Sequence, residues 1–240
     1  MFFVLKGRWR FFWGEHGDDG EVVLEEGDIF NIPTRMFRGF ENIGSDYGMI
    51  MSILGGDDAG GGVIWAPHVR EAAKNHGLVL AESGRLYDTK RGEQLPNTEH
   101  EMPLPEQAWL EGLLKPDAKT VVRHYVARYW DLMAISAEGA VKVISEHGLI
   151  RDKPGFDVDF ISRQSNEHAL LRAENDVVLM VMRGHWSVQW ADESVILNPG
   201  DTMWLPPDTE YKLDVTASGE ASLYRVTRTR DPAGFTWMGD

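Results

Sequence analysis

An internal repeat constrains this chain more than any other feature of its sequence. Met1 to Trp13 (MFFVLKGRWRFFW) sets beside Val178 to Trp190 (VLMVMRGHWSVQW), with Gly7 on Gly184, Trp9 on Trp186 and Trp13 on Trp190. Further on, Val22 to Pro33 (VVLEEGDIFNIP) matches Val195 to Pro206 (VILNPGDTMWLP), with Gly27-Asp28 on Gly200-Asp201. Gly184 follows Gly7 by 177 positions, whereas Gly200 follows Gly27 by 173, so the intervening loop is four residues shorter in the second copy. Two matching blocks with one short gap imply that one supersecondary unit is used twice.

Each block reads as β-strands. Trp186, Val188 and Trp190 alternate with His185, Ser187 and Gln189, the two-residue period of a half-buried strand. By the repeat, Trp9, Phe11 and Trp13 take the buried face of the first copy, with Arg8 and Arg10 opposite. Gly27-Asp28 and Gly200-Asp201 read as tight turns before short apolar strands, each closed by a proline, Pro33 or Pro206. Short strands between turn signals predict an antiparallel sandwich or barrel.

The connecting segment has a different pattern. Ala66 to His76 carries a proline near its start and Gly77 just beyond, the punctuation of a helix. Leu78 to Leu80 and Gly84 to Leu86 read as a hairpin, and Thr89 to Pro105 as an exposed loop. Helical patterns cover Glu106 to Leu114 and Asp117 to Met133, and are expected on the outside of the repeated units. The expected division is 1–65, 66–150 (helical and loop connector) and 151–240. The glycine-rich run from Gly55 to Gly62 reads as a flexible connection, since it lacks the Lys-Ser/Thr of a phosphate loop.

Composition narrows the function classes. The formal charge of -14 disfavours nucleic acid and anionic membrane surfaces as partners. The absence of cysteine removes disulfides, thiolate catalysis and cysteine-ligated metals. No apolar run reaches the roughly 20 residues of a membrane span, and a cytoplasmic location is the default expectation.

The two blocks resemble the cupin superfamily, and their arrangement is similar to a bicupin. The second cupin motif, Gly-x5-Pro-x-Gly-x2-His-x3-Asn, is matched by Gly27, Pro33 and Asn42, and by Gly200 and Pro206. The resemblance implies an all-β fold of two antiparallel jelly-roll barrels with a helical connecting segment. It also implies a metal, commonly iron, manganese, nickel or zinc, held by three histidines and a glutamate. The ligand positions depart from that pattern. At the motif histidine stand Arg38 and Tyr211, at the inner glycine Arg35 and Asp208, and Val215 replaces the second asparagine. Arginine has no lone pair to give a metal. The closing glycine of the first motif falls on Gly7, which puts the motif's glutamate one position before Met1. That suggests a fragment or a start assigned too far downstream, a rearranged barrel, or a strand supplied by another subunit.

No metal site is therefore expected in this chain, although iron or manganese is conceivable in a longer form. None of the eight histidines forms His-x-His; His16, His168 and Tyr211 remain the unconventional candidates. Arg38 is the residue singled out. Facing into a barrel, its guanidinium needs an anion, either a carboxylate of the protein or an acidic ligand. Arg38, Asn42 and Tyr211 form the candidate ligand-binding set, and no catalytic residue is assigned. Two function classes follow. One is a bicupin derived from a metal-dependent oxidoreductase, dioxygenase-like on an aromatic or small organic acid. The other is a metal-free cupin that binds a small acidic ligand or serves as a structural homo-oligomer, with a homodimer as the expected assembly.

Overall fold

The computed structural model describes residues 1–33, 35–54, 64–151, 155–163 and 170–229. The glycine-rich run 55–62 and His168 lie outside the described residues. In chain order the first half holds β1 (Phe2–Lys6), β2 (Trp9–Trp13), β3 (Gly20–Leu24), β4 (Ile29–Phe30), β5 (Arg38–Asn42) and β6 (Met49–Ser52). The connector adds α1 (Pro67–Asn75), β7 (Leu78–Leu80), β8 (Leu86–Asp88), α2 (Gln107–Glu111), α3 (Ala118–Tyr125), β9 (Val126–Ala127) and α4 (Tyr129–Ile135). The second half holds β10 (Val141–Ile144), β11 (Phe156–Ser162), β12 (Leu171–Ala173), β13 (Val177–Arg183) and β14 (Trp186–Trp190). It ends with β15 (Glu193–Leu197), β16 (Thr202–Leu205), β17 (Thr209–Val215) and β18 (Ser222–Arg228).

Strand order carries the repeat into three dimensions. In the second half β18-β13-β16 and β17-β14-β15 are neighbours in two sheets; in the first half β6-β1-β4 and β5-β2-β3 take the same order. All named strand pairs are antiparallel. The second unit is more complete: β11 extends its first sheet beyond β18, and β12 extends its second beyond β17. Among the described residues, β6 and β5 have no strand in those places.

Four sheets stack with three apolar layers between them. Phe2, Val4, Phe11, Trp13, Leu24 and Phe30 fill the first unit, closed by Val121 and Tyr125 of α3. Leu179, Val181, Trp186, Val188, Leu213 and Leu223 fill the second. Between the two units lies a third layer, where Phe3 and Ile29 meet Phe156, Phe160, Met180 and Tyr224. Strands β1 and β13 are thus covered on both faces, which is why FFVL and VVLMVM run continuously apolar instead of alternating.

The segment from Asp117 to Met133 corrects one expectation. It is two helices, separated by β9, because Val126 and Ala127 pair with Phe30 and Ile29 of β4. Asp117 caps α3 by accepting the Thr120 amide, and the extended Arg128 carries the chain into α4. Helix α1 lies where a helix is expected, the hairpin forms with its second arm at Leu86–Asp88 instead of 84–86, and α2 covers Gln107–Glu111 of the expected 106–114.

Candidate functional site

The interior of the first unit is reached through strand register. Trp9, Phe11 and Trp13 of β2 lie opposite Asn42, Phe40 and Arg38 of β5, so these side chains share one face. Phe11 and Trp13 are buried there, which places Arg38 and Phe40 on the inner face as well. On the outer face Arg10 bridges Glu21 and Glu41 at 2.8 and 3.0 Å.

Arg38 meets no carboxylate among the described residues. Its Nη1 donates to the Met36 carbonyl at 3.3 Å, a contact that leaves most of its donors unused. The residue keeps solvent access, yet desolvation by its surroundings lowers its pKa from the ordinary guanidinium range. The expected internal acidic partner is therefore not in place. Phe40 stands beside it as the rim of an aromatic cluster, its ring centroid 5.8 Å from Phe2, 6.0 Å from Trp9 and 5.9 Å from Phe11. It is 49% exposed, unlike the buried Phe2 and Phe11 against which it packs.

Asn42 has a different task. Its Nδ2 donates to the Asp46 carbonyl and its Oδ1 accepts the Gly44 amide, both at 2.9 Å, so the side chain folds the loop between β5 and β6. Tyr211 is 1% exposed and packs in the core of the second unit. Beside it Arg225 donates through Nε and Nη2 to Asp159 at 3.0 and 2.8 Å. Desolvation lowers the Arg225 pKa, but the Asp159 carboxylate and the Tyr211 hydroxyl outweigh it and raise the value overall. Arg38, Asn42 and Tyr211 are not brought together: Arg38 and Asn42 share β5, and Tyr211 occupies the equivalent place in the other unit.

The motif turns survive without the motif's ligands. Gly27 and Gly200 have φ of 89° and 91°, and their amides donate to Val4 and Val181, which are repeat equivalents. Asp28 and Asp201 each accept the amide three residues back, from Glu25 and Asn198. At the inner glycine positions Arg35 and Asp208 adopt φ of 61° and 65°, left-handed backbone retained on residues other than glycine.

The fold is all-β in the main, two repeats of one antiparallel unit. No family model and no curated protein matches the chain. Among solved structures, the chain is similar to a cupin 2 domain-containing protein from Halorhodospira halophila, at 19% identity and a TM-score of 0.33, covering 38% of this chain and 62% of that one. A cupin-like protein from Thermotoga maritima gives 15% identity and 0.31, covering 42% and 75%. A protein described as an ethanolamine utilization protein from Salmonella typhimurium gives 19% and 0.27; the chain matches 60% of its length.

The metal that cupin proteins commonly hold does not fit the donors here. Arginine and a core tyrosine occupy the motif-two histidine positions, and no group of three or more His, Asp or Glu side chains is arranged to hold an ion among the described residues. His16 lies against His68, ring centroids 4.9 Å apart, as an exposed pair. Two further features were not legible in the sequence. Asp159 and Arg225 lie inside the second barrel, although Phe156-Asp157-Val158-Asp159-Phe160 alternates like a strand with one wet face. A recess of about 320 Å³ opens between the barrels beside Tyr129, Met182 and Arg183. There Arg183 lies over the rings of Tyr129 and Trp130, at 5.2 and 5.3 Å. No helix among the described residues is long and apolar enough to cross a membrane.

Proposed function

We propose that this chain is a metal-free bicupin that binds a small organic acid in its first barrel. Arg38 receives the carboxylate, and the aromatic rim of Phe40 and Trp9 receives an apolar, preferably aromatic, body. One observation carries this reading: an inward-facing arginine, partly desolvated, with no carboxylate beside it among the described residues. A guanidinium in such surroundings gains most from a planar, bidentate anion, which is the geometry a carboxylate offers. The neighbouring rings add stacking surface with centroids already spaced for edge and tilted contacts. Binding, not catalysis, is the assigned role, because among the described residues no group of His, Asp or Glu is arranged to hold a metal and no carboxylate pairs with Arg38.

Titration with benzoate and phenylacetate, followed by tryptophan fluorescence and calorimetry, tests the reading. Arg38→Gln should weaken binding roughly 10- to 100-fold, the scale of a charge-assisted hydrogen bond of about 1.5–3 kcal/mol. Arg38→Lys should retain part of it, keeping the charge but losing the fork. The reading fails if benzyl alcohol binds as well as benzoate, or if Arg38→Gln binds benzoate as the parent does.

A further inference from the structure

The recess between the barrels is where the two repeats stop being alike. In the first unit the Gly7 amide donates to Oε1 of Glu26 at 3.1 Å, so a carboxylate closes the turn between β1 and β2. Gly184 is the repeat equivalent of Gly7, and its φ of 72° keeps the left-handed turn that Gly7 makes at 90°. Glu26, however, falls on Pro199. A proline side chain accepts no hydrogen bond, so the second turn lacks the carboxylate that the first possesses. Gly184 and Pro199 both line the recess of about 320 Å³. The place of the missing carboxylate is therefore space that a ligand can enter.

Charges of both signs surround that space. Arg183, next to Gly184, lies over the rings of Tyr129 and Trp130 at 5.2 and 5.3 Å, which sets the position of its guanidinium. Among the described residues its ion-pair partner is Glu220, with Nη1 and Oε2 3.7 Å apart, too long for a hydrogen bond. Glu220 and Glu26 each bring a carboxylate to the same recess. A bare carboxylic acid would meet a surplus of negative charge here. A simple amine would leave the guanidinium and the Gly184 amide without an anion. Leu5 and Met182, also repeat equivalents, add an apolar wall.

We propose that the recess binds a free α-amino acid with an apolar side chain. Its carboxylate takes the place that Glu26 holds in the first unit, accepting from the Gly184 amide and from Arg183. Its ammonium faces Glu220 and Glu26, and its side chain lies against Leu5 and Met182. Such a ligand touches both barrels and α4, so its binding ties the two halves of the chain together. The site is separate from Arg38 and does not depend on an acid binding there.

Calorimetry and thermal unfolding of the intact chain with L-leucine test the proposal. The comparison ligands are 4-methylpentanoate, which lacks the ammonium, and 3-methylbutylamine, which lacks the carboxylate. Leucine should bind and raise the melting temperature, and each comparison ligand should bind roughly 10-fold or more weakly than leucine. Pro199→Glu restores the residue of the first repeat and should lower leucine affinity roughly 10- to 100-fold by filling the carboxylate's place from within. Arg183→Gln should do the same by removing the cation. A parent that ignores leucine at millimolar concentration overturns the proposal. So does a comparison ligand that binds as leucine does, or a Pro199→Glu variant with the parent's leucine affinity. Should Pro199→Glu fail to fold, Arg183→Gln and the three ligands on the parent decide. Arg38→Gln should leave leucine affinity unchanged, and its loss there would move the amino acid out of the recess and overturn the assignment. Benzoate affinity is read separately, so failure of the Arg38 reading leaves this result standing.

Discussion

Gly27 and Gly200 occupy the same place in the two repeats and have nearly the same φ, 89° and 91°. Their surroundings differ. A Cβ on Gly27 would lie 2.3 Å from Cδ2 of Tyr129, whereas one on Gly200 would meet nothing within 4 Å. Gly200→Ala should therefore cost only the left-handed backbone, about 1 kcal/mol. Gly27→Ala adds a clash with a buried ring between the barrels and should cost about 3 kcal/mol or more. Urea unfolding of both variants checks the contrast; equal losses would mean that the ring moves freely aside. The inward place of Arg38 was implied by the resemblance, which sets it at the motif histidine, and the pairing of Trp13 with Arg38 puts the two on one face. The missing carboxylate was not readable. Nothing local in Met36-Phe37-Arg38 says which acidic side chains of a distant segment will point inward.

Asp28 shows how the connector is fastened. Its Oδ2 accepts the Glu25 amide and Nη1 of Arg128, at 3.0 and 2.8 Å, and its Oδ1 accepts the Tyr129 amide at 2.8 Å. Among the described residues Asp201, its repeat equivalent, accepts only from the backbone amide and side chain of Asn198. The same turn thus serves one barrel as a turn and the other also as an anchor for α4. Asp28→Ala should cost about 3 kcal/mol, since it strands a partly buried guanidinium contact and a buried amide. Asp201→Ala should cost about 1 kcal/mol. Chemical denaturation of the pair measures both, and comparable losses would show that Arg128 finds another acceptor. The strands of both repeats were legible from alternation and turns. The break between α3 and α4 was not, because Val126-Ala127 leaves the helix to pair with a two-residue strand almost a hundred positions earlier. Asp159 escaped notice for a related reason. A strand covered on both faces and a strand with one wet face can show the same alternation when an ion pair fills the second interior.

At the scale of the molecule the barrels share one apolar layer, and two tyrosines hold it with hydrogen bonds. Tyr224 donates to the Gly27 carbonyl at 2.6 Å, and the Tyr129 hydroxyl lies 2.8 Å from Ser222 Oγ. Burial pushes the Tyr224 phenol well above its ordinary 10.0, with Asp28 adding to the effect, and burial also raises Tyr129. A raised phenol pKa means that the folded state favours the protonated form. The resulting stability is present in full below the unfolded value and is lost as pH climbs from there through the folded value. Unfolding free energy should be nearly level up to tyrosine's ordinary 10.0 and fall steeply beyond it. Tyr224→Phe should lower stability at neutral pH by about 1–3 kcal/mol, the cost of an unmet buried carbonyl, and make the alkaline fall shallower. An alkaline slope identical in parent and variant would locate the titration elsewhere.

The two-sided burial of β1 also sets a timetable. Phe3 and Leu5 belong to the layer between the barrels, yet the strands that cover them run as far as Val226 in β18. A ribosome adding roughly 5–20 residues per second leaves that greasy face uncovered for on the order of ten seconds or more. During this interval the nascent first barrel has a finished inside and an unfinished outside. Holdase chaperones have a hydrophobic strand to grip for as long as translation of the second barrel lasts, and slowing the ribosome there lengthens the exposure of the first.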